Sequence, residues 1–286
     1  MKGIDVSHHQ GVIDWQKVKN SGIDFAIVKA TEGVGYVDPC FKSYTQGAAA
    51  AGLHIGAYHF LRLGSAKQQA KEFINAIKSY KWDYPVAVDV ESNELLKMGR
   101  AGITDFVIEF LDILKSAGYY PMIYTGYNWC KNHLYMSKIK YNLWFARYND
   151  HKGYGNVSIW QYTSTGKVPG INGNVDMDIS YCDYPYIIKS KGLNGYPKLQ
   201  DFTCDTTQDI QLKHGQAYQL KVTSNATPKV TVGTPNVVTL LPRYSTGNNH
   251  FYYLVGVGDS NAGTGIFVNN KKQFVAHIKE GKNGED

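Results

Sequence analysis

The chain has 286 residues, 43% of them hydrophobic and 19% charged, with a net charge of +6. That length holds one barrel-sized domain and a small second one. Lys and Arg are scattered without a basic run or a nucleic-acid motif, and no stretch approaches the ~20 apolar residues of a membrane span, so nucleic acid and membrane insertion are both excluded.

Strand-like and helix-like segments alternate from the start. Lys2–Ser7 reads as a strand and Ile13–Asn20 as a helix; Phe25–Thr31 is a second strand, with Gly33-Val34-Gly35 a tight turn after it. Phe41–Ala51 is helical with Gly52 as its stop, and His54–Phe60 is the third strand. Ala66–Tyr80 is amphipathic, since Ala66, Ala70, Phe73, Ile74 and Ile77 follow the helical period. Val86–Glu91, the helix Thr104–Ala117 and the strand Pro121–Thr125 follow. Three further strands, Leu143–Tyr148, Ser158–Tyr162 and Val175–Ile179, are joined by short links. Eight strands are the number that closes a barrel, so the expected class is α/β with a TIM-like barrel over residues 1–190. Tyr184–Pro197, with its prolines and glycines, reads as linker, the domain boundary falling at 191–198. From 199 to 286 short alternating strands separated by Asn/Gly/Ser turns predict an all-β sandwich or small barrel.

The chemistry concentrates in Val86-Ala87-Val88-Asp89-Val90-Glu91. Side chains alternate across a strand, so Asp89 and Glu91 share one face and the valines the other. Carboxyls crowded at the end of a buried strand shift each other's pKa, which lets one site hold both an acid and a base. Catalytic side chains of such barrels sit at the C-terminal strand ends, where this chain has Asp5, Ser7, Glu32, Tyr58, Tyr124, Trp160 or Gln161, Asp176 and Asp178. Asp5, Asp89, Glu91 and Asp176 facing one mouth point to glycosidic bond cleavage. The bland alternatives are an Asp5–Lys29 ion pair and a satisfied Glu91 in the core. No metal motif, phosphate-binding loop or nucleophile elbow is present, so neither metal nor cofactor is expected.

Several segments resemble glycoside hydrolase family 25, the Chalaropsis-type lysozymes. They are Gly3-Ile4-Asp5-Val6-Ser7-His8-His9-Gln10-Gly11, Lys29-Ala30-Thr31-Glu32-Gly33, Gly56-Ala57-Tyr58-His59-Phe60, Asp89-Val90-Glu91, Leu143-Trp144-Phe145-Ala146-Arg147-Tyr148, Trp160-Gln161-Tyr162-Thr163-Ser164 and Val175-Asp176-Met177-Asp178. The resemblance runs in order from residue 3 to about 180. It implies a (β/α)5(β)3 barrel and an N-acetylmuramidase acting on peptidoglycan. It further implies Glu91 as general acid, Asp89 as its partner, and Asp5 and Asp176 as further acidic residues of the site. Tyr58, Tyr124 and Trp160 match groove-lining aromatics; strand parity leaves Asp176 and Asp178 equivalent, and Asp178 is kept as a substrate-binding candidate. Arg147 departs from the family's usual smaller or neutral residue.

Two rivals are weaker. A chitinase-type D-x-x-D-x-D-x-E run fails, because its two upstream positions hold Tyr84 and Ala87. A non-catalytic glycan binder on the barrel scaffold is disfavoured by the intact acidic set. The second domain loosely resembles immunoglobulin-like modules that end phage endolysins, which implies attachment to cell-wall carbohydrate, with self-association as the alternative. Its aromatics (Phe202, Tyr218, Tyr244, Phe251, Tyr252, Tyr253, Phe267, Phe274) could form a sugar platform or a core, and in so small a module most are expected in the core. No apolar segment precedes the first strand, so no signal peptide is expected. The expected setting is endolysin-like: synthesis in a host cytoplasm and action on the wall after release. The widely spaced Cys40, Cys130, Cys182 and Cys204 are expected as free thiols.

Overall fold

Strand β1 (Lys2–Val6) pairs in parallel with β2 (Phe25–Glu32) and antiparallel with β9 (Val175–Ser180), and these two pairings close a barrel. Between them, around the barrel, stand β4 (His54–Phe60), β5 (Val86–Asp89), β6 (Pro121–Gly126), β7 (Asn142–Ala146) and β8 (Val157–Gly166). A two-residue strand, β3 (Tyr36–Val37), folds back on β2 through the Gly33–Gly35 turn. The computed structural model describes residues 1–149, 153–197 and 202–279, and the chain divides into two units, Met1–Lys198 and Leu199–Asp286.

Helices α1 (Trp15–Asn20), α2 (Phe41–Ala50), α3 (Ala66–Ile77) and α4 (Gly99–Ser116) cover the outside of the first strands. Asp14 and Ser65 cap α1 and α3 by accepting from the Lys17 and Gln68 amides. The outward strand residues, among them Val86 and Val88, bury against Phe73, Ile77, Phe110 and Leu114 of α3 and α4. Between β6 and β9 the longest helical segment among the described residues is a π-type turn, Trp129–His133. The link between β8 and β9, residues 167–174, is too short for a crossover, so β9 runs antiparallel to β8 and, because β1 points the same way as β8, to β1 as well.

The bore is filled, not hollow. Phe25, Ile27, Tyr84, Ala87, Met122, Trp144 and Ile159 form its inner core. Phe25 stacks on Tyr84 at 4.1 Å. Gly3 makes room for that ring, because a Cβ there would lie 2.2 Å from Phe25.

Residues Tyr184–Lys191, expected as linker, form helix α5. Asp183 caps its start, Pro185 sits in its first turn, and Gly192 ends it with a left-handed φ of 64°. Tyr184 and Ile188 of α5 close the lower end of the bore, opposite the mouth. Buried Asn194 then locks the base of the barrel. Its amide donates to the Trp82 and Tyr84 carbonyls and its oxygen accepts from the Tyr120 amide.

The second unit is a sandwich of two four-stranded sheets. One contains β10 (Thr203–Cys204), β12 (Ala217–Thr223), β15 (Asn249–Gly256) and β14 (Val238–Thr246). The other contains β11 (Ile210–Leu212), β17 (Lys271–Ile278), β16 (Gly263–Val268) and β13 (Val230–Val232). Leu220, Val222, Leu254, Ile266 and Phe274 meet between them. The expectation that most aromatics serve this core is corrected. Phe202, Tyr252 and Phe274 are buried in it and Tyr218 packs on its edge, whereas Tyr244, Phe251, Tyr253 and Phe267 lie outside it. All four cysteines are unpaired.

Candidate active site

Strand parity carries the acidic side chains into the mouth of the barrel. Asp89 follows Ala87 on the inner face of β5, and Glu91 follows it just past the strand end. Asp5 on β1 faces Asp176 on β9 as a direct cross-strand pair. Because β9 runs antiparallel, Asp176 reaches the mouth from the start of its strand, not from a C-terminal end. Asp178, two residues deeper, is wholly buried and accepts from Trp144 Nε1 at 2.7 Å.

The interior of a barrel is a poor place for charge, and burial raises every one of these carboxyls. Asp5 lies well above the ordinary carboxylate range through burial and the neighbouring Asp178 and Asp176. Asp89 is raised by burial and by Glu91, with Lys29 opposing. Glu91, exposed at the rim, is raised by partial desolvation and then by Asp176; Lys29 again opposes. Two charges thus bear on this pair: Asp89 and Glu91 repel each other directly, and Asp176 acts on Glu91 across the mouth. Burial lifts Asp176 to about 6 and Asp178 to about 8. Asp89 Oδ1 is buried with no hydrogen-bond partner. An unpartnered buried carboxyl oxygen costs stability and leaves an acceptor open to a donor from a bound molecule.

Aromatic residues wall the carboxyls. Tyr58 lies among Asp5, Asp89 and Asp176, edge-on to Trp144 at 6.2 Å. Tyr124 also meets Trp144 edge-on, at 4.6 Å, and donates to Gln161 Oε1 at 2.9 Å. Trp160, expected on the groove, faces the outer layer instead: it belongs to the core between sheet and helices, and its Nε1 donates to the Arg147 carbonyl. The adjacent Gln161 holds the inner position, because Ile159 two residues earlier is in the bore.

Gln161, the alternative to Trp160 at this strand end, is a hub. Its Nε2 donates to Asp5 Oδ2 at 2.7 Å, and its Oε1 also accepts from Tyr148 at 2.9 Å. Tyr148 is 57% exposed, so its ring stands over the mouth while its hydroxyl points inward. Lys29 does not pair with Asp5. Its Nζ donates to Glu32 Oε2 at 2.5 Å, and Glu32 Oε1 accepts from Arg62 Nε and Nη2 at 2.8 and 2.6 Å. Arg62 Nη1 continues to Ser92 Oγ at 3.1 Å, tying this ionic chain to the residue after Glu91.

A β/α barrel with carboxyls from several strands converging on one mouth is the architecture of a barrel hydrolase. The sequence matches glycosyl hydrolases family 25 over residues 4–171, and the chain belongs to that family. An autolytic lysozyme of Clostridium acetobutylicum is 37% identical over 182 residues, 62% of this chain and 55% of that protein. The match therefore spans about half the length of that relative. Among solved structures, the CTP1L endolysin superposes with a TM-score of 0.60 at 27% identity, covering 74% of this chain and 73% of that one. The modular autolysin LytC of Streptococcus pneumoniae, solved with a synthetic peptidoglycan ligand, gives a TM-score of 0.58 at 28% identity over 63% of this chain and 46% of that one.

Proposed function

We propose that this chain is an N-acetylmuramidase that cleaves the β-1,4 bond between N-acetylmuramic acid and N-acetylglucosamine in peptidoglycan and lyses Gram-positive walls. The observation that carries this reading is the convergence of Asp5, Asp89, Glu91 and Asp176 at one mouth of a family 25 barrel, each with a raised pKa. Glu91 is the general acid. A raised pKa favours its protonated form, and its place at the rim gives it access to a leaving oxygen.

The stereochemical route follows from where the carboxyls stand. Asp89 and Glu91 lie two residues apart at the end of β5, their Cα atoms about 6–7 Å from each other. They approach the sugar from one side, so Asp89 is badly placed as a nucleophile on the opposite face. Its unpartnered Oδ1 suits an acetamido N–H instead. Asp89 orients the 2-acetamido group, whose carbonyl oxygen attacks the anomeric carbon as Glu91 protonates the departing oxygen. Water activated by Glu91 then opens the cyclic intermediate, and configuration is retained. Asp5 is a weak candidate base for an inverting route: its pKa is well raised and its Oδ2 is engaged by Gln161. Tyr58 and Tyr124 line the sugar site, and Asp178 holds Trp144 from behind. The setting that suits this chemistry is that of a phage endolysin, made in the cytoplasm and acting on the wall after release.

Time-resolved NMR of wall glycan digestion tests the route. The first-formed product is the β-anomer; an initial α-anomer would contradict the assisted mechanism.

A further inference from the structure

Three of the four aromatics that the sandwich core leaves out gather on one face. On β15, His250, Tyr252 and Leu254 are buried, so Phe251 and Tyr253 have the opposite parity and face outward. The pairing of β14 with β15 shifts register between Pro242 and Ser245. In that irregular stretch Arg243 and Tyr244 both lie over the outward face. Tyr244 stacks on Phe251, centroids 4.6 Å apart and planes 24° from parallel. The Arg243 guanidinium lies 4.8 Å from the centre of the Tyr253 ring. Leu241, opposite Tyr253, extends the surface on one side, and Lys221 of β12, opposite Phe251, flanks it on the other. Tyr244 is 55% exposed and Leu241 42%.

This surface has an occupant's chemistry. Aromatic faces held flat in solvent match the axial C–H face of a pyranose, as they match other apolar planes. The strands β12, β14 and β15 contain no Asp or Glu, so Arg243 gives the face a positive character. Asp205, which accepts from the Lys221 backbone amide, stands beside Lys221 and offsets its charge. Pro242 and the irregular register blunt β14 as a template for strand pairing, which argues against a second copy of the chain as occupant.

We propose that this face binds glycan strands of peptidoglycan, with a sugar ring on the exposed Tyr244 and a muramyl lactate carboxylate at Arg243. The choice of glycan rests on the muramidase reading of the barrel. A weak second grip on the same polymer raises the barrel's effective concentration at its substrate.

The test uses the full chain carrying Glu91→Gln, so that the wall is not digested, and purified sacculi stripped of phosphodiester-linked polymers. Adding Arg243→Ala and Tyr244→Ala lowers the fraction that cosediments, weakening affinity about tenfold, the scale of losing one central aromatic or arginine contact. Melting temperature stays unchanged, since both side chains lie outside the core. With Glu91 intact, the same pair of substitutions slows lysis of stripped sacculi but leaves cleavage of a soluble muramyl tetrasaccharide unaltered. Undiminished cosedimentation of the substituted chain would overturn the proposal. So would binding by the parent chain only to unstripped walls, or loss of a dimer in sedimentation velocity as the sole effect. Tetrasaccharide cleavage reports on the barrel and cosedimentation on the sheet face, so failure of either reading is seen separately.

Discussion

Gln161 Nε2 donates to Asp5 Oδ2 at 2.7 Å while its Oε1 accepts from the hydroxyls of Tyr124 and Tyr148. One buried amide thus fixes an acidic side chain, a wall of the groove and a ring over its mouth. Its carbonyl oxygen accepts two hydrogen bonds and its amide nitrogen donates one, all to groups of the site.

Gln161→Leu therefore leaves Asp5 and two phenols without their partner. Turnover on wall suspensions falls about a hundredfold, as expected when reacting groups lose their positioning. Stability falls by about 1–3 kcal/mol, the cost of unsatisfied buried groups. Gln161→Glu keeps the tyrosine acceptor but sets a charge against Asp5, so its loss of activity deepens as pH rises. Activity profiles of the two variants between pH 4 and 8 check this; a loss independent of pH in Gln161→Glu would contradict the role of the Asp5 contact.

Asp178 gives the fold a pH dependence of definite sign. Its pKa is raised from 3.8 to about 8, chiefly by burial. Between those values the folded state holds a proton that the unfolded state has released, so stability is greatest on the acid side and falls as pH rises through this window. Asp176, raised to about 6, and Asp5 act in the same sense. Asp178→Asn retains an oxygen for Trp144 Nε1 and removes the titration. Thermal melts from pH 5 to 8 should show a flatter decline in the variant, which becomes the more stable protein at pH 8. Parallel curves would refute the assignment.

The base of the barrel depends on Asn194, wholly buried with φ 57°. Asn194→Ala removes its links to Trp82, Tyr84 and Tyr120 and leaves a side chain less suited to a positive φ. Denaturant titration should show a loss of about 2–5 kcal/mol, in the range for breaking a buried network. Activity at low temperature stays near the parent value, because the network lies at the end of the bore opposite the mouth.

Much of the barrel was legible because its code is local. Period-two patterns located Asp5, Asp89 and Glu91 on inner faces, and the 3.6 period located α3 and α4. Helix α5 was misread although its signals were present: Asp183, Pro185 and Gly192 are a cap, a first-turn proline and a stop, and the same letters also punctuate linkers. On β8 the choice fell on the larger ring, Trp160, while parity assigns the bore to Ile159 and Gln161. The chain Lys29–Glu32–Arg62–Ser92 joins three separate segments, and no local pattern encodes such a pairing. Sequence assigns the outward aromatics of β14 and β15 mostly to the core, because composition counts a tyrosine without saying which face it takes.

The central claim concerns which bond is cut. Mass spectrometry of reduced fragments from purified peptidoglycan reads it directly. The account predicts new reducing ends that are N-acetylmuramic acid, released by the parent chain and absent with Glu91→Gln of unchanged melting temperature; reducing N-acetylglucosamine ends, or ends still released by the variant, would contradict it.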